Sequence, residues 1–415
     1  MVSRLVFGLG LLSATALVHP AFAAEARTLQ IFVSKNKQSL VVYDGTEVVA
    51  TSKVSTGKEG HTTPSGIFSV IEKKKYHESN LYSNAPMPFM QRLTWSGIAL
   101  HESNSVPRHP ASHGCVRMPG AFAKMLYGMT DAGVPVIISD GELAPQPIDH
   151  PNLFHPDSPA AMPLLSDVEL RPSIPSYPEA PVQVAMNNTA VMPMPVAPEE
   201  AKAPSEPISM LITRRTLRET VIDIQALLNQ LGFSAGDPDG LLGPTTVQAI
   251  KAFKALRFTE FAGDRNLISD NLLKSLYAAA GRGEPPNGVI MVRQSFEPIF
   301  EAPVIIADPS LALGTHFLTL HAIDATAGTA DWLGVTLTNN LSRETMKRLG
   351  ITNQESSIIS GRPVAKALSR ISIPDETRHR IDALISPGST LTISDTGIGS
   401  ETGEGTEFIT VTREN

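Results

Sequence analysis

The chain has one cysteine, Cys115, within Ser112-His113-Gly114-Cys115-Val116-Arg117-Met118, and a second histidine, His101, lies upstream across a loop. A thiol attacks as the thiolate, and an ordinary cysteine of pKa ~8.5 is only a few per cent ionised at pH 7, so it needs a base or a cation nearby. His101 supplies a base if the loop folds back. Gly114 lets the backbone turn closely beside the thiol, so the amides around His113 to Cys115 could face an oxyanion, as acyl transfer requires. Arg117, two residues beyond the thiol, is spaced to pair with a substrate carboxylate.

The same residues have plainer readings. A lone cysteine is most often a small buried hydrophobe, and a lone histidine is more often structural than reactive. Ligand type alone also allows a zinc site from His101, His113 and Cys115. No Cys-x-x-Cys or His-x-x-x-His pair supports it, and neither a metal nor another cofactor is expected. His61, His77 and His109 have no comparable context and read as solvated surface residues.

Residues 27–140 must position this segment, and they read as mainly β. Leu29 to Val33 and Ser39 to Tyr43 alternate, a turn falls at Asp44-Gly45, and a further run covers Val48 to Ser55. The Thr63-Pro64-Ser65-Gly66 turn precedes a strand at Ile67 to Ile71, and Gly97 to His101 reads as a buried strand leading into a polar loop. Ala121 to Met129 has helical spacing, with Pro119 placed to start it and Gly133 to end it, before a strand at Val136 to Ser139.

Residues 141–214 read as a linker, because 15 of the 33 prolines fall between Leu143 and Pro207 without sustained periodicity. Over residues 215–282, Leu217, Val221, Ile224, Leu227, Leu228 and Leu231 share a helical face that Gly232 ends. Thr245 or Thr246 is placed to cap a second helix carrying Val247, Ile250 and Phe253, and a third helix is expected from Ser269 to Ala279. Residues 287–413 read as α+β, with strands at Val289 to Val292, Phe317 to Leu320 and Thr390 to Ser394 and helical pieces near Arg343 to Leu349 and Glu376 to Ile385. Gly133 before Ile138-Ser139-Asp140 has the spacing of Gly388 before Ile393-Ser394-Asp395, and Gly66-Ile67-Phe68 has a loose counterpart in Gly314 to Phe317. The last domain is therefore expected to be a degenerate copy of the first, without a cysteine and so without its thiol chemistry.

The Cys115 segment closely resembles the signature of the L,D-transpeptidases, the YkuD-type family of bacterial cell-wall enzymes: a His, a variable loop, then Ser/Thr-His-Gly-Cys. The resemblance extends over roughly residues 27–140 and includes Thr63-Pro64-Ser65-Gly66-Ile67-Phe68. It implies that Cys115 is the nucleophile, that His101 is the base, and that the Glu102 carbonyl orients His101. Ser112, His113 and Gly114 would line the oxyanion side, and Arg117 would touch substrate. Only ten residues separate His101 from Ser112, short for the family, which bears on substrate preference more than on chemistry. The helical unit resembles the peptidoglycan-binding domain of wall enzymes through Ile224-Gln225, Leu228, Gly232, Asp239-Gly240, Gly243-Pro244-Thr245-Thr246, Ala249-Ile250 and Phe253, with Lys254 where that family commonly has Gln. The implied partner is a peptidoglycan stem peptide. The implied acceptor is a second stem amine, with water or a lysine of an outer-membrane protein as alternatives. A non-catalytic wall-binding scaffold fits less well with intact His101, His113 and Cys115.

Residues 1–23 read as an export signal. Arg4 precedes an apolar run from Leu5 to Val18, shorter than the ~20 residues a spanning helix needs, and small Ala21 and Ala23 flank Phe22, so cleavage is expected after Ala23. No later segment is long and apolar enough to span a bilayer, and the expected location is a Gram-negative periplasm. An exported chain with one cysteine forms no internal disulfide. The net charge of -7 divides unevenly, with +3 over residues 25–140 and +1 from Arg4 against -11 after Asp140. That balance suits a carboxylate-bearing substrate and is too small for nucleic acid. At 42% hydrophobic and 18% charged residues, a fully disordered chain is excluded.

Overall fold

The computed structural model describes residues 27–79, 84–156, 206–324, 326–354 and 363–413. The expected signal, residues 1–23, lies outside them. The first domain comprises β1 (Leu29–Ser34), β2 (Ser39–Asp44), β3 (Glu47–Lys53), β4 (Ser65–Ser69), β5 (Glu72–Lys74), β6 (Met90–Arg92), β7 (Ala99–Glu102), β8 (Val116–Met118), α1 (Gly120–Met129) and β9 (Pro135–Ser139). Its main sheet runs β4-β9-β1-β2-β3, with β1 antiparallel to β2 and parallel to β9. The excursion between β4 and β9 folds into a second sheet, β5-β6-β7-β8, and into α1. Alternation in β1 predicts one wet face, yet all six of its residues are buried. Ile31 and Val33 enter the domain core, while Phe32 on the other face packs against residues from the C-terminal part of the chain.

The rest of the chain forms β10 (Gln146–Ile148), β11 (Ile208–Arg214), α2 (Leu217–Gln230), α3 (Pro244–Leu256), α4 (Asp270–Ala279), β12 (Gly288–Gln294), β13 (Glu297–Ile306), β14 (Thr315–Asp324), β15 (Thr329–Leu337), α5 (Arg343–Leu349), α6 (Pro363–Ser369), β16 (Ile371–Ser372), α7 (Asp375–Asp382), β17 (Thr390–Ser394) and β18 (Thr410–Thr412). The order β14-β17-β11-β12-β13 within the eight-stranded sheet repeats β4-β9-β1-β2-β3 pair for pair and direction for direction. The register repeats too. Ser34 faces Ser139 and Thr213 faces Ser394, and the next residues form ion pairs, Lys35 with Asp140 and Arg214 with Asp395, each at 2.7 Å.

Two expectations need correction. The supposed linker, 141–214, contains β10 and β11, and β11 is a central strand of the second sheet. Its Ile208, Met210 and Ile212 enter the core, a local signal outweighed in the sequence by the surrounding prolines. The helical unit also does not precede the last domain. It is inserted between β11 and β12, which pair over Ile208↔Gln294 to Arg214↔Gly288 on either side of it. Within it, α2 opens with a capping box between Thr216 and Glu219. The cap of α3 is Gly243, with Pro244 at the first helical position. Neither Thr245 nor Thr246 caps it: Thr246 is buried, accepts from Gln225 (3.1 Å) and donates to the Ala235 carbonyl (2.9 Å).

The two sheets exchange strands. β10, leaving the first domain, pairs with β15, whereas β18, near the other end of the chain, pairs with β4 and brings Ile409 into the first domain's core. Between the sheets, Phe32, Ile67 and Ile137 pack on Phe317, Val335 and Leu337. Burying a side chain of this size is worth about 1.5–3 kcal/mol, so the apolar contact and the shared strands fix the domains together.

Candidate active site

β7 and β8 run parallel, with Leu100 opposite Val116 and His101 opposite Arg117. Strand alternation then sorts the side chains. Leu100, Val116 and Met118 enter the core, while Ala99 and Cys115 lie with Met87 and Met90 on the opposite face, which His101 and Arg117 share. Cys115 extends the register to stand beside Ala99, so His101 is its diagonal neighbour, a relation that typically separates residues by about 7–8 Å.

The loop carrying the thiol is held by the segment after β3. Ser55 and Arg117 exchange backbone hydrogen bonds at 3.0 Å, the Thr56 carbonyl accepts from the amides of Ala111 and Ser112, and Lys58 N donates to Ser112 O. Ser112 is 1% exposed and braces the turn from inside. Its hydroxyl donates to the Cys115 carbonyl (2.5 Å) and accepts from Gly114 N (3.2 Å). Gly114 has φ +116, a backbone conformation that favours glycine, and a Cβ there would lie 2.9 Å from the terminal methyl of Ile98, which would have to shift. Thr63, also 1% exposed, ties the turn to the preceding strands, accepting from Gly57 N (2.8 Å) and donating to the Gly114 carbonyl (2.6 Å).

Electrostatically, the site rests in a neutral state. His101 Nδ1 donates to the Glu102 carbonyl at 2.7 Å, which leaves Nε2 as the acceptor nitrogen. Burial pushes the His101 pKa down to about 4, against the pull of that carbonyl and with help from the Arg117 charge, so the imidazole is neutral at pH 7. Burial pushes the Cys115 thiol up, opposed by the Ala99 backbone and by the Arg117 and Arg92 guanidiniums. The thiol donates to the Gly97 carbonyl at 3.3 Å, and the residue keeps partial exposure. A protonated thiol and a neutral imidazole on one face suit proton transfer during attack rather than a preformed ion pair.

His113 is exposed, and its ring meets that of His61 edge-on at 5.0 Å. Partial desolvation, Lys58, His61 and Arg117 all lower its pKa. Thus Cys115, His101 and Arg117 share a face, the Ser112 side chain is spent inside the turn, and the His113 side chain points to solvent. Sequence reasoning missed Thr63, which it read only as part of a turn, and the Gly97 carbonyl, for which no residue type gives a signal. It set His61 aside although the fold brings it to His113. Among the described residues, no three His, Cys, Asp or Glu side chains gather as metal ligands, and no helix is long and apolar enough to cross a membrane.

Residues 29–138 match the YkuD family model, the L,D-transpeptidase catalytic domain, and residues 218–257 match that of a putative peptidoglycan binding domain. Among solved structures, an L,D-transpeptidase from Mycobacterium smegmatis is 22% identical over 27% of this chain and 59% of its own, with a TM-score of 0.26. The L,D-transpeptidase of Xylanimonas cellulosilytica is 28% identical over 28% of this chain and 62% of its own, with a TM-score of 0.25. A C442S mutant of the Enterococcus faecium L,D-transpeptidase is 24% identical over 27% and 49%, with a TM-score of 0.25. The match spans less than two thirds of each of these chains. Curated proteins give no match.

Proposed function

We propose that the protein is an exported L,D-transpeptidase that acts on peptidoglycan stem peptides in the periplasm. The observation that carries this reading is the coincidence of the catalytic-domain match over residues 29–138 with a face holding Cys115 and a neutral His101 whose Nε2 accepts. Cys115 attacks the carbonyl of the L-centre residue of a tetrapeptide stem, diaminopimelate in the family it resembles, and His101 takes the thiol proton. The thioester C–S bond forms, the peptide C–N bond breaks, and His101 returns the proton to the departing D-Ala amine. A second stem's amine then attacks the thioester, a C–N bond replaces C–S, and its proton passes through His101 to the sulfur. The energy of the cleaved peptide bond is kept in the thioester, so no nucleotide enters. Arg117 binds a stem carboxylate, the backbone amides of His113 and Cys115 steady the oxyanion, and the helical unit holds the enzyme on the wall.

The resemblance implies acylation by carbapenems, and the test is intact-mass spectrometry with meropenem. One adduct on the wild type and none on Cys115→Ala is the expected result. No adduct on a wild type with its thiol reduced would overturn the reading. Muropeptide products then identify the acceptor: linked dimers mean a stem amine, whereas shortened stems alone mean water.

A further inference from the structure

A cleft of about 620 Å³ opens between the two domains. Lys35, Thr62 and Thr63 line it from the first domain, and Asn340, Ser342 and Arg413 line it from the C-terminal part. We propose that this cleft binds a free carboxylate of the acceptor stem, an inference that rests on the transpeptidase reading above.

Three observations converge on it. The first is charge. Among the described residues, the lining contains two cations, Lys35 and Arg413, and no carboxylate. Lys35 is engaged by Asp140 at 2.7 Å, while the side chain of Arg413 has no carboxylate partner among the described residues. A guanidinium amid hydroxyls and amides suits a peptide carboxylate. A sugar would seek an aromatic platform, and among the described residues the lining has no aromatic side chain.

The second observation is rigidity. Thr412 pairs with Ser65 across β18 and β4, so one hydrogen-bonded ladder joins the two walls. Arg413 is then held on both sides of its backbone: its N–H donates to Asn339 Oδ1 (3.1 Å), and its carbonyl accepts from Asn340 N (2.7 Å). The cation is presented from a fixed main chain, which limits the ordering cost of binding.

The third observation is position. Thr63 lines the cleft and also donates to the Gly114 carbonyl, one residue before the nucleophile. The cleft and the acylated loop thus share a wall, while Arg117 stays on the thiol face for the donor stem. Arg117 and Arg413 as separate anchoring cations fit an enzyme that must hold two carboxylate-bearing peptides. Fixing the acceptor amine near the thioester also favours transfer over hydrolysis.

The test is calorimetric binding of a stem tripeptide, L-Ala-γ-D-Glu-diaminopimelate, to full-length protein first acylated with meropenem so that the thiol face is filled. Saturable binding is expected, weakened about tenfold or more by Arg413→Glu and largely restored in Arg413→Lys. Ser342→Trp, which fills the cleft without changing charge, should weaken it too. Equal affinity in Arg413→Glu and wild type would overturn the proposal, as would equally effective competition by inorganic phosphate. If meropenem leaves the wild type unmodified, the transpeptidase reading falls by itself. The same titration on Cys115→Ala then still decides whether the cleft holds the peptide.

Discussion

The first domain and the C-terminal domain share strand order, register and a closing ion pair, but they differ in what fills the excursion between corresponding strands. Between β4 and β9 that excursion builds the sheet that carries Cys115 and His101. Between β14 and β17 it builds β15, β16 and helices instead. Each domain nevertheless buries a histidine whose pKa is pushed down to about 4, His101 in one and His316 in the other. His316 spends both ring nitrogens, on Thr336 Oγ1 and on the Leu313 carbonyl, each at 2.9 Å. His101 spends Nδ1 on the Glu102 carbonyl. Burial alone makes a neutral histidine. A base requires in addition an open nitrogen and a nucleophile on the same face.

The largest effect should come from separating the two histidines. His101→Gln should slow acylation by meropenem about 10²- to 10⁴-fold, the usual worth of a positioned general base, while His316→Gln leaves that rate near wild type and lowers thermal stability. A comparable loss of rate in both variants would mean that the contrast in ring contacts has no functional meaning.

Next comes the pair of ion pairs. Arg214 and Asp395 are 6% and 2% exposed, and the arginine also donates to the Pro309 and Leu311 carbonyls while the aspartate accepts from the Leu313 and Gly314 amides. Arg214→Ala strands a buried carboxylate and should cost about 3–5 kcal/mol in urea unfolding. Lys35 and Asp140 are 21% and 35% exposed, and Lys35→Ala should cost no more than about 1 kcal/mol. Similar costs at both sites would break the distinction between a buried and a half-solvated version of one contact.

Acid should act on both domains. With ordinary values near 6.5 and folded values of about 4, each histidine binds its proton more readily in the unfolded chain. Their contribution is complete above pH ~6.5 and is lost as pH falls through about 4, up to about 3 kcal/mol for each. Denaturation measured from pH 7 to 4 should show this decline, shallower in His316→Gln. The acid limb of acylation should fall near pH 4, not near 6.5. The smallest effect is local to the inserted unit: Thr216→Ala removes the capping box of α2 and should cost about 1 kcal/mol, with acylation unaffected.

The reactive segment was legible because its information is local. A lone thiol, two nearby histidines and a glycine at a tight turn are readable as residue types, and strand alternation with helix spacing marked β1, β2, α1, α2 and α4. The Gly133 and Gly388 spacings likewise foretold strands that occupy the same place in two sheets. Local chemistry and short-range periodicity are thus what the sequence determined by itself. Partnership between distant segments needed the tertiary structure: β11 hidden beside a proline-rich stretch, the helical unit inserted into a hairpin, and the exchange of β10 and β18. So did the contacts that tune the site, the Gly97 carbonyl on the thiol and Thr63 on the turn. Backbone carbonyls are identical in every residue, and a strand's partner depends on which edge is free in the assembled sheet, so neither leaves a mark in residue type or spacing.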